Sequence, residues 1–256
     1  MRPWPCFIAG LLTLVAVLAP VAVVAGASPF SNWAAIIVAG DFHASHTNSP
    51  TETFDNARRD MALELQRKGF QPSNLRQFSV RPERYSDTKP LKADLRPIYE
   101  ALRDLTAQGS TGCLIYLTSH GAPQGVVLGD HLLPPGMLDS LIGQTCGERP
   151  TVVIISACFS GVFVPALAER NRMIITAARP DRSSFGCSES NKYPYFDECL
   201  LKVLPDAHDF VALGPAVKAC VARRENAEGL EPPSEPQVSI GAALRPILPL
   251  MAFPPG

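Results

Sequence analysis

Val152-Val153-Ile154-Ile155-Ser156-Ala157-Cys158-Phe159-Ser160-Gly161 is the stretch on which the fold turns. Its first half is a continuous, β-branched apolar run, the pattern of a strand buried on both faces. Trp33 to Ala39, Cys113 to Thr118 and Arg172 to Ala178 repeat that pattern. Helical spacing fills the intervals. Ala57, Met61, Leu65 and Phe70 share one face, with Gly69 as a stop. Pro90 is expected to open a helix carrying Leu91, Leu95, Ile98, Leu102 and Leu105, ending near Gly109. Further helices are expected from Pro134 to Ile142, Tyr195 to Val203 and Val211 to Glu225. Leu75 to Val80 reads as a short strand, Gly125 to Leu133 as a hairpin turning at Gly129-Asp130, and Gln237 to Ile240 as a closing strand. Buried strands alternating with helices predict an α/β fold, with a mostly parallel central sheet covered by helices on both sides.

In such sheets the reactive groups gather in loops beyond the carboxyl ends of the strands. Two strands end in chemistry. One runs out through Leu117-Thr118-Ser119-His120-Gly121, the other through Ser156-Ala157-Cys158. If these strands are neighbours, an imidazole and a thiol share one edge. The imidazole promotes the thiolate and later protonates a leaving group. Gly121 lets backbone approach a substrate closely, and its N–H together with that of Cys158 would hold a developing oxyanion. A buried Cys that is only a small apolar residue, or a His that only ends a strand, is the bland alternative for each member taken alone.

Other motifs do not fit. A phosphatase loop needs Arg six positions after its Cys, and Val164 stands there. The chain around Ser160 lacks the two glycines of a nucleophile elbow. No Gly-rich phosphate loop with Lys is present, and paired carboxylates for glycoside chemistry have no anchor. His43 and His46 have no ligand partners nearby in sequence, so no metal site is expected. A formal charge of −1 gives no basic field, which argues against nucleic acid as a partner.

The ends of the chain read differently from its middle. Arg2, the apolar run from Cys6 to Val24 and the small residues Ala25-Gly26-Ala27 read as a secretory signal peptide over residues 1–27, or as an uncleaved anchor. The catalytic domain is then residues 28–243, followed by a Pro-rich, loosely packed tail over 244–256. Glu228 to Pro236 reads as a linker or exposed loop. Export, to a periplasm or secretory lumen, allows disulfides. Six cysteines follow the signal, and one free catalytic thiol obliges at least one more to stay unpaired. Cys187 with Cys199 or Cys220 is compatible with a bridge, Cys113 reads as core, and connectivity is left open.

Ser119-His120-Gly121 and Ala157-Cys158-Phe159-Ser160-Gly161 together resemble the legumain group of the peptidase C13 family, which shares its fold with caspases and gingipains. Asn32 to Gly40 is similar to that family's first strand, and Ala177 to Cys187 to its pocket segment. The resemblance runs from about Asn32 to Leu201. It implies a caspase-like α/β/α sandwich and a thiol-dependent endopeptidase acting on peptide or protein substrates without a cofactor. His120 matches the catalytic His, Cys158 the nucleophile and Gly121 the oxyanion-hole Gly. Ser184 or its neighbour Ser183 matches a pocket Ser, and Asp197 a pocket Asp, with a plain helix N-cap as its other reading.

The chain departs from the group in the pocket itself. Phe159 replaces an acidic residue, and Phe54-Asp55-Asn56 offers no Arg where the group carries one. Asparagine preference therefore does not transfer. If Asp55 and Asp197 both line the pocket, a basic or polar side chain is expected there. A transpeptidase on the same dyad, and a catalytically idle binding domain on the same fold, are the rival readings.

Overall fold

The computed structural model describes residues 27–254 together with Met1, Arg2 and Trp4. The signal or anchor segment thus lies largely outside the described residues. Among the described residues, no helix is long and apolar enough to cross a membrane.

Four buried strands form the spine: β1 (Trp33–Ala39), β4 (Gly112–Thr118), β8 (Thr151–Ser156) and β9 (Arg172–Thr176). β2 (Leu75–Ser79) and β3 (Leu91–Lys92) extend one side, and β10 (Gln237–Ile240) closes the other. The order is β10-β9-β8-β4-β1-β2-β3, parallel throughout except for β10. A small antiparallel sheet, β5 (Gly121–Ala122), β6 (Gly125–Leu128) and β7 (His131–Leu133), stands beyond the end of β4.

Alternation along each strand divides the core into two layers. Ala35, Ile37, Leu114, Tyr116, Val152 and Ile154 face α1 (Thr53–Arg67), α5 (Tyr195–Val203) and α6 (Phe210–Glu228). Ala34, Ile36, Ile115, Leu117, Val153 and Ile155 face α2 (Leu95–Ala107), α3 (Pro135–Thr145) and α4 (Phe163–Leu167). The result is the expected α/β/α sandwich.

Several expectations need correction. Leu91 does not belong to a helix opened by Pro90. Leu91 and Lys92 pair with Phe78 and Ser79, and the helix begins only at Leu95, where the Asp94 carboxylate accepts the Leu95 N–H. The local cap outcompetes the Pro start. The segment after Leu244 is not loosely packed. Leu244, Leu248 and Phe253 are buried, and Phe253 sits 5.2 Å from Phe30 and 4.8 Å from Phe210, ring to ring. Burying such a ring stabilises by about 2–3 kcal/mol, enough to fix the segment. The Glu228–Pro236 stretch is mostly an exposed loop, as expected, but it is pinned at one point. Ser234 is fully buried, donating its N–H to Glu225 and accepting the Arg179 N–H.

The disulfides are Cys113–Cys146, joining β4 to the end of α3, and Cys199–Cys220, joining α5 to α6. Cys113 is core and also bridged, and Cys187 is unpaired and buried instead of bonded to Cys199 or Cys220. Among the described residues, Cys158 is the other free cysteine.

Candidate active site

β4 and β8 are neighbours, with Thr118 paired to Ser156, and the Ser119 N–H continues the ladder to the Ser156 carbonyl at 3.0 Å. His120 and Cys158 each lie two residues beyond that last pair, so both emerge at the same carboxyl edge. Their backbones also touch one residue on. A Cβ built on Gly121 would lie 2.1 Å from the Cys158 carbonyl oxygen and 3.0 Å from Ala157 Cβ. Only glycine fits there.

His120 is held by its surroundings. The Phe54 ring meets it edge-on at 5.1 Å, and Nε2 lies 2.9 Å from the His43 carbonyl oxygen. A carbonyl can only accept, so Nε2 carries the proton in the neutral ring and Nδ1 keeps the basic lone pair. The residue after it is shaped by the small sheet. Val127 donates to the His120 carbonyl at 2.9 Å, which makes 120 and 127 a hydrogen-bonded pair and 121 and 126 the non-bonded pair that follows. The Gly121 N–H therefore points away from β6, free for another acceptor.

The turn after Cys158 is pinned against the segment following β9. Phe159 adopts the left-handed conformation, φ +56°, and donates its N–H to the Arg182 carbonyl at 2.8 Å. Such a backbone is costly for a bulky residue and persists only where neighbours enforce it. Ser160 Oγ accepts the Ala178 N–H at 3.1 Å, and Gly161 packs so tightly on Pro180 that a Cβ would lie 2.5 Å from its nitrogen. The same packing delivers Ser184 to the thiol: its N–H donates to Cys158 Sγ at 3.3 Å, and its hydroxyl lies 3.7 Å away. Ser183 beside it is exposed, and Phe159 is half-buried.

The two carboxylates expected in the pocket are both buried and hydrogen-bonded. Asp197 is fully buried beneath the edge, accepting hydroxyls from Tyr116 at 2.7 Å, Thr118 at 2.6 Å and Ser156 at 2.9 Å. Burial raises its pKa to about 6, against the opposing pull of those hydroxyls. It lies inside α5, after Pro194 at the cap position, so the N-cap reading does not hold. Asp55 is equally buried, but it is bound to Arg58 Nε at 2.8 Å and Ser79 Oγ at 3.0 Å, near the end of β2. It serves the junction of α1 with β2. Asp55 and Asp197 share no hydrogen-bond partner, and each carboxylate is already occupied by protein groups.

Three contributors escaped the sequence: Asp41, His43 and Cys187. Asp41 and His43 lie in the polar loop after β1, which the strand-end rule already directs to this edge. Their roles run through a backbone carbonyl, which no residue type announces. Cys187 packs with Ala39 and with Phe54, the ring that meets His120. Burial first, then the negative charges of Cys158, Asp197 and Asp41, push its thiol well above the ordinary range. Among the described residues, no group of three or more His, Cys, Asp or Glu is placed to hold a metal ion.

The crystal structure of caspase-1 from Spodoptera frugiperda superposes with a TM-score of 0.59 at 15% identity, covering 84% of this chain and 88% of that one. At that identity the likeness concerns the fold. Fold and family together define a caspase-fold domain of the cysteine-peptidase type. The peptidase C13 family model matches residues 91–216, in keeping with the chain's resemblance to legumain. The matched span includes His120, Cys158, Ser184 and Asp197. No curated protein matches the sequence.

Proposed function

We propose that the protein is an exported cysteine endopeptidase in which Cys158 is the nucleophile and His120 the general base and acid. The observation that carries this is the pairing of Thr118 with Ser156, which brings the imidazole and the thiol out at one edge with Gly121 against Cys158. His120 Nδ1 takes the thiol proton as sulfur attacks the scissile carbonyl. The C–N bond then breaks, with the proton returned to the departing amine. The N–H groups of Gly121 and Cys158 hold the oxyanion. Water, deprotonated by His120, opens the thioester and regenerates the thiol.

Peptide or protein substrates follow from the family. Phe159, Ser183 and Ser184 form the accessible lining beside the thiol, with Asp197 beneath it. Because both pocket carboxylates are already bound to protein partners, a basic preference rests on neither as an open charge. Two disulfides accord with an oxidising compartment, as does the N-terminal apolar run, whether cleaved as a signal or kept as an anchor.

The test is mass-spectrometric labelling with iodoacetamide, followed by digestion of a fluorogenic peptide library. The wild type is expected to label at Cys158 faster than at Cys187 and to release peptide fragments, and Cys158→Ala to do neither. Absence of preferential labelling at Cys158 would sink the proposal. Products carrying an added amine nucleophile in place of water would turn the assignment to a transpeptidase.

A further inference from the structure

Asp41 occupies the second position after β1 and is only 7% exposed. A single oxygen, Oδ1, receives three N–H groups: the Phe42 backbone at 2.6 Å, the His43 backbone at 3.1 Å, and His43 Nδ1 at 2.7 Å. Two consecutive backbone donors drawn to one carboxylate fold the chain into an Asx-type turn. The imidazole on the same oxygen fixes the side chain of the residue whose backbone is being turned. The free end of that turn is the His43 carbonyl, and it meets His120 Nε2 at 2.9 Å.

The rest of the loop holds the turn in place but does not aim it. Thr51 donates to the Phe42 carbonyl at 2.7 Å, and His43 bridges to Pro50. Arg81 stacks its guanidinium 4.4 Å above the Phe42 ring, and Ser45 donates to the Cys187 carbonyl at 3.0 Å. These contacts anchor the loop to β2 and to the segment after β9. Only Asp41 binds both the backbone and the side chain of the residue that presents the carbonyl.

We infer that Asp41 is a positioning residue for the reaction, aiming His120 at the thiol through the His43 carbonyl. This rests on the dyad proposed above. The oxygen position matters here, not the negative charge: an acceptor at Oδ1 sets the turn, the turn sets the carbonyl, and the carbonyl sets the tautomer and direction of the imidazole. A misplacement on the order of 1 Å in such a group costs about a hundredfold in rate.

Asp41→Asn keeps an acceptor at the same place without charge. Asp41→Glu keeps the charge and moves the acceptor by one methylene. Both variants and His120→Ala are compared with the wild type for iodoacetamide labelling of Cys158 at mildly acid and at alkaline pH, with melting temperature measured alongside. Asp41→Asn is expected to label within about threefold of the wild type, and Asp41→Glu about tenfold or more slowly at acid pH, the gap narrowing at alkaline pH where the thiolate forms without a base. Asp41→Glu labelling like the wild type while His120→Ala is slow would overturn the inference. So would an Asp41→Asn variant as slow as Asp41→Glu, since charge would then be the operative property. If His120→Ala labels as fast as the wild type, it is the dyad that fails. A purely structural role would lower melting temperature without changing the ratio between the two pH values.

Discussion

Gly121 lies against Cys158 with no room for a side chain: a Cβ there would stand 2.1 Å from the Cys158 carbonyl oxygen, a backbone atom that cannot rotate aside. Gly121→Ala must therefore push the two strand ends apart. Because that movement separates the two proposed oxyanion donors, turnover of a peptide substrate should fall by about a hundredfold for a displacement near 1 Å. Steady-state kinetics on the purified variant, with its melting temperature as a control for folding, would check this. Unchanged turnover would mean that the Gly121 N–H takes no part.

Asp197 predicts a dependence of stability on pH. Its folded-state pKa of about 6 lies above the ordinary value of 3.8. Between those values the folded protein binds more protons than the unfolded one, so stability falls as pH rises. The contribution is fully present below about pH 4 and lost above about pH 6, a change on the order of 3 kcal/mol for two pKa units. Asp197→Asn cannot titrate. Its unfolding free energy, measured by urea denaturation from acid to neutral pH, should lack that fall relative to the wild type. Parallel curves for the two proteins would contradict the assignment.

Asp55 separates a pocket role from a structural one. Asp55→Ala leaves the buried Arg58 guanidinium without its carboxylate, and breaking one side of a buried pair costs about 3–5 kcal/mol. The expected outcome is a large drop in denaturant midpoint. The specificity profile of the remaining folded enzyme should be unaltered. A changed preference at the cleaved bond with little loss of stability would restore Asp55 to the pocket.

The bridges supply a fourth test. Cys199–Cys220 spans 21 residues and Cys113–Cys146 spans 33. Loop-closure entropy puts each at about 3–4 kcal/mol, with allowance for residual structure in the unfolded chain. Thermal melts with and without a thiol reductant should differ by several degrees. Cys199→Ala with Cys220→Ala should reproduce part of that difference, and an unshifted melt would show the bridge to be energetically idle.

The sheet was legible because its strands are buried on both faces. Runs such as Trp33–Ala39 can be little else, and their carboxyl ends point directly to His120 and Cys158. Short-range competition was harder to read. Asp94 and Pro90 both offer a helix start, and the choice depends on whether Leu91 finds Phe78 across the sheet edge. The tail was misread because Phe253 looks like any terminal apolar residue until Phe30 and Phe210 surround it. Asp55 and Asp197 show the limit most clearly. Both are acidic residues near the resembling motifs, and only the partners Arg58 and Tyr116, each far along the chain or folded inward, reveal where the carboxylates go.

Gly69 has a consequence for how the domain can be rebuilt. A Cβ there would strike Ser28 Oγ at 2.1 Å and come within 3.2 Å of Pro254, so the two ends of the described domain converge on one glycine. Their meeting place is beside the Phe30 and Phe253 rings, before the start of β1 and hence at the opposite end of the sheet from Cys158. A short polar linker could join residues 28 and 254 directly. The chain could then be reopened at an exposed turn, yielding a circular permutant whose new termini are chosen freely while the cleft keeps every residue that shapes it.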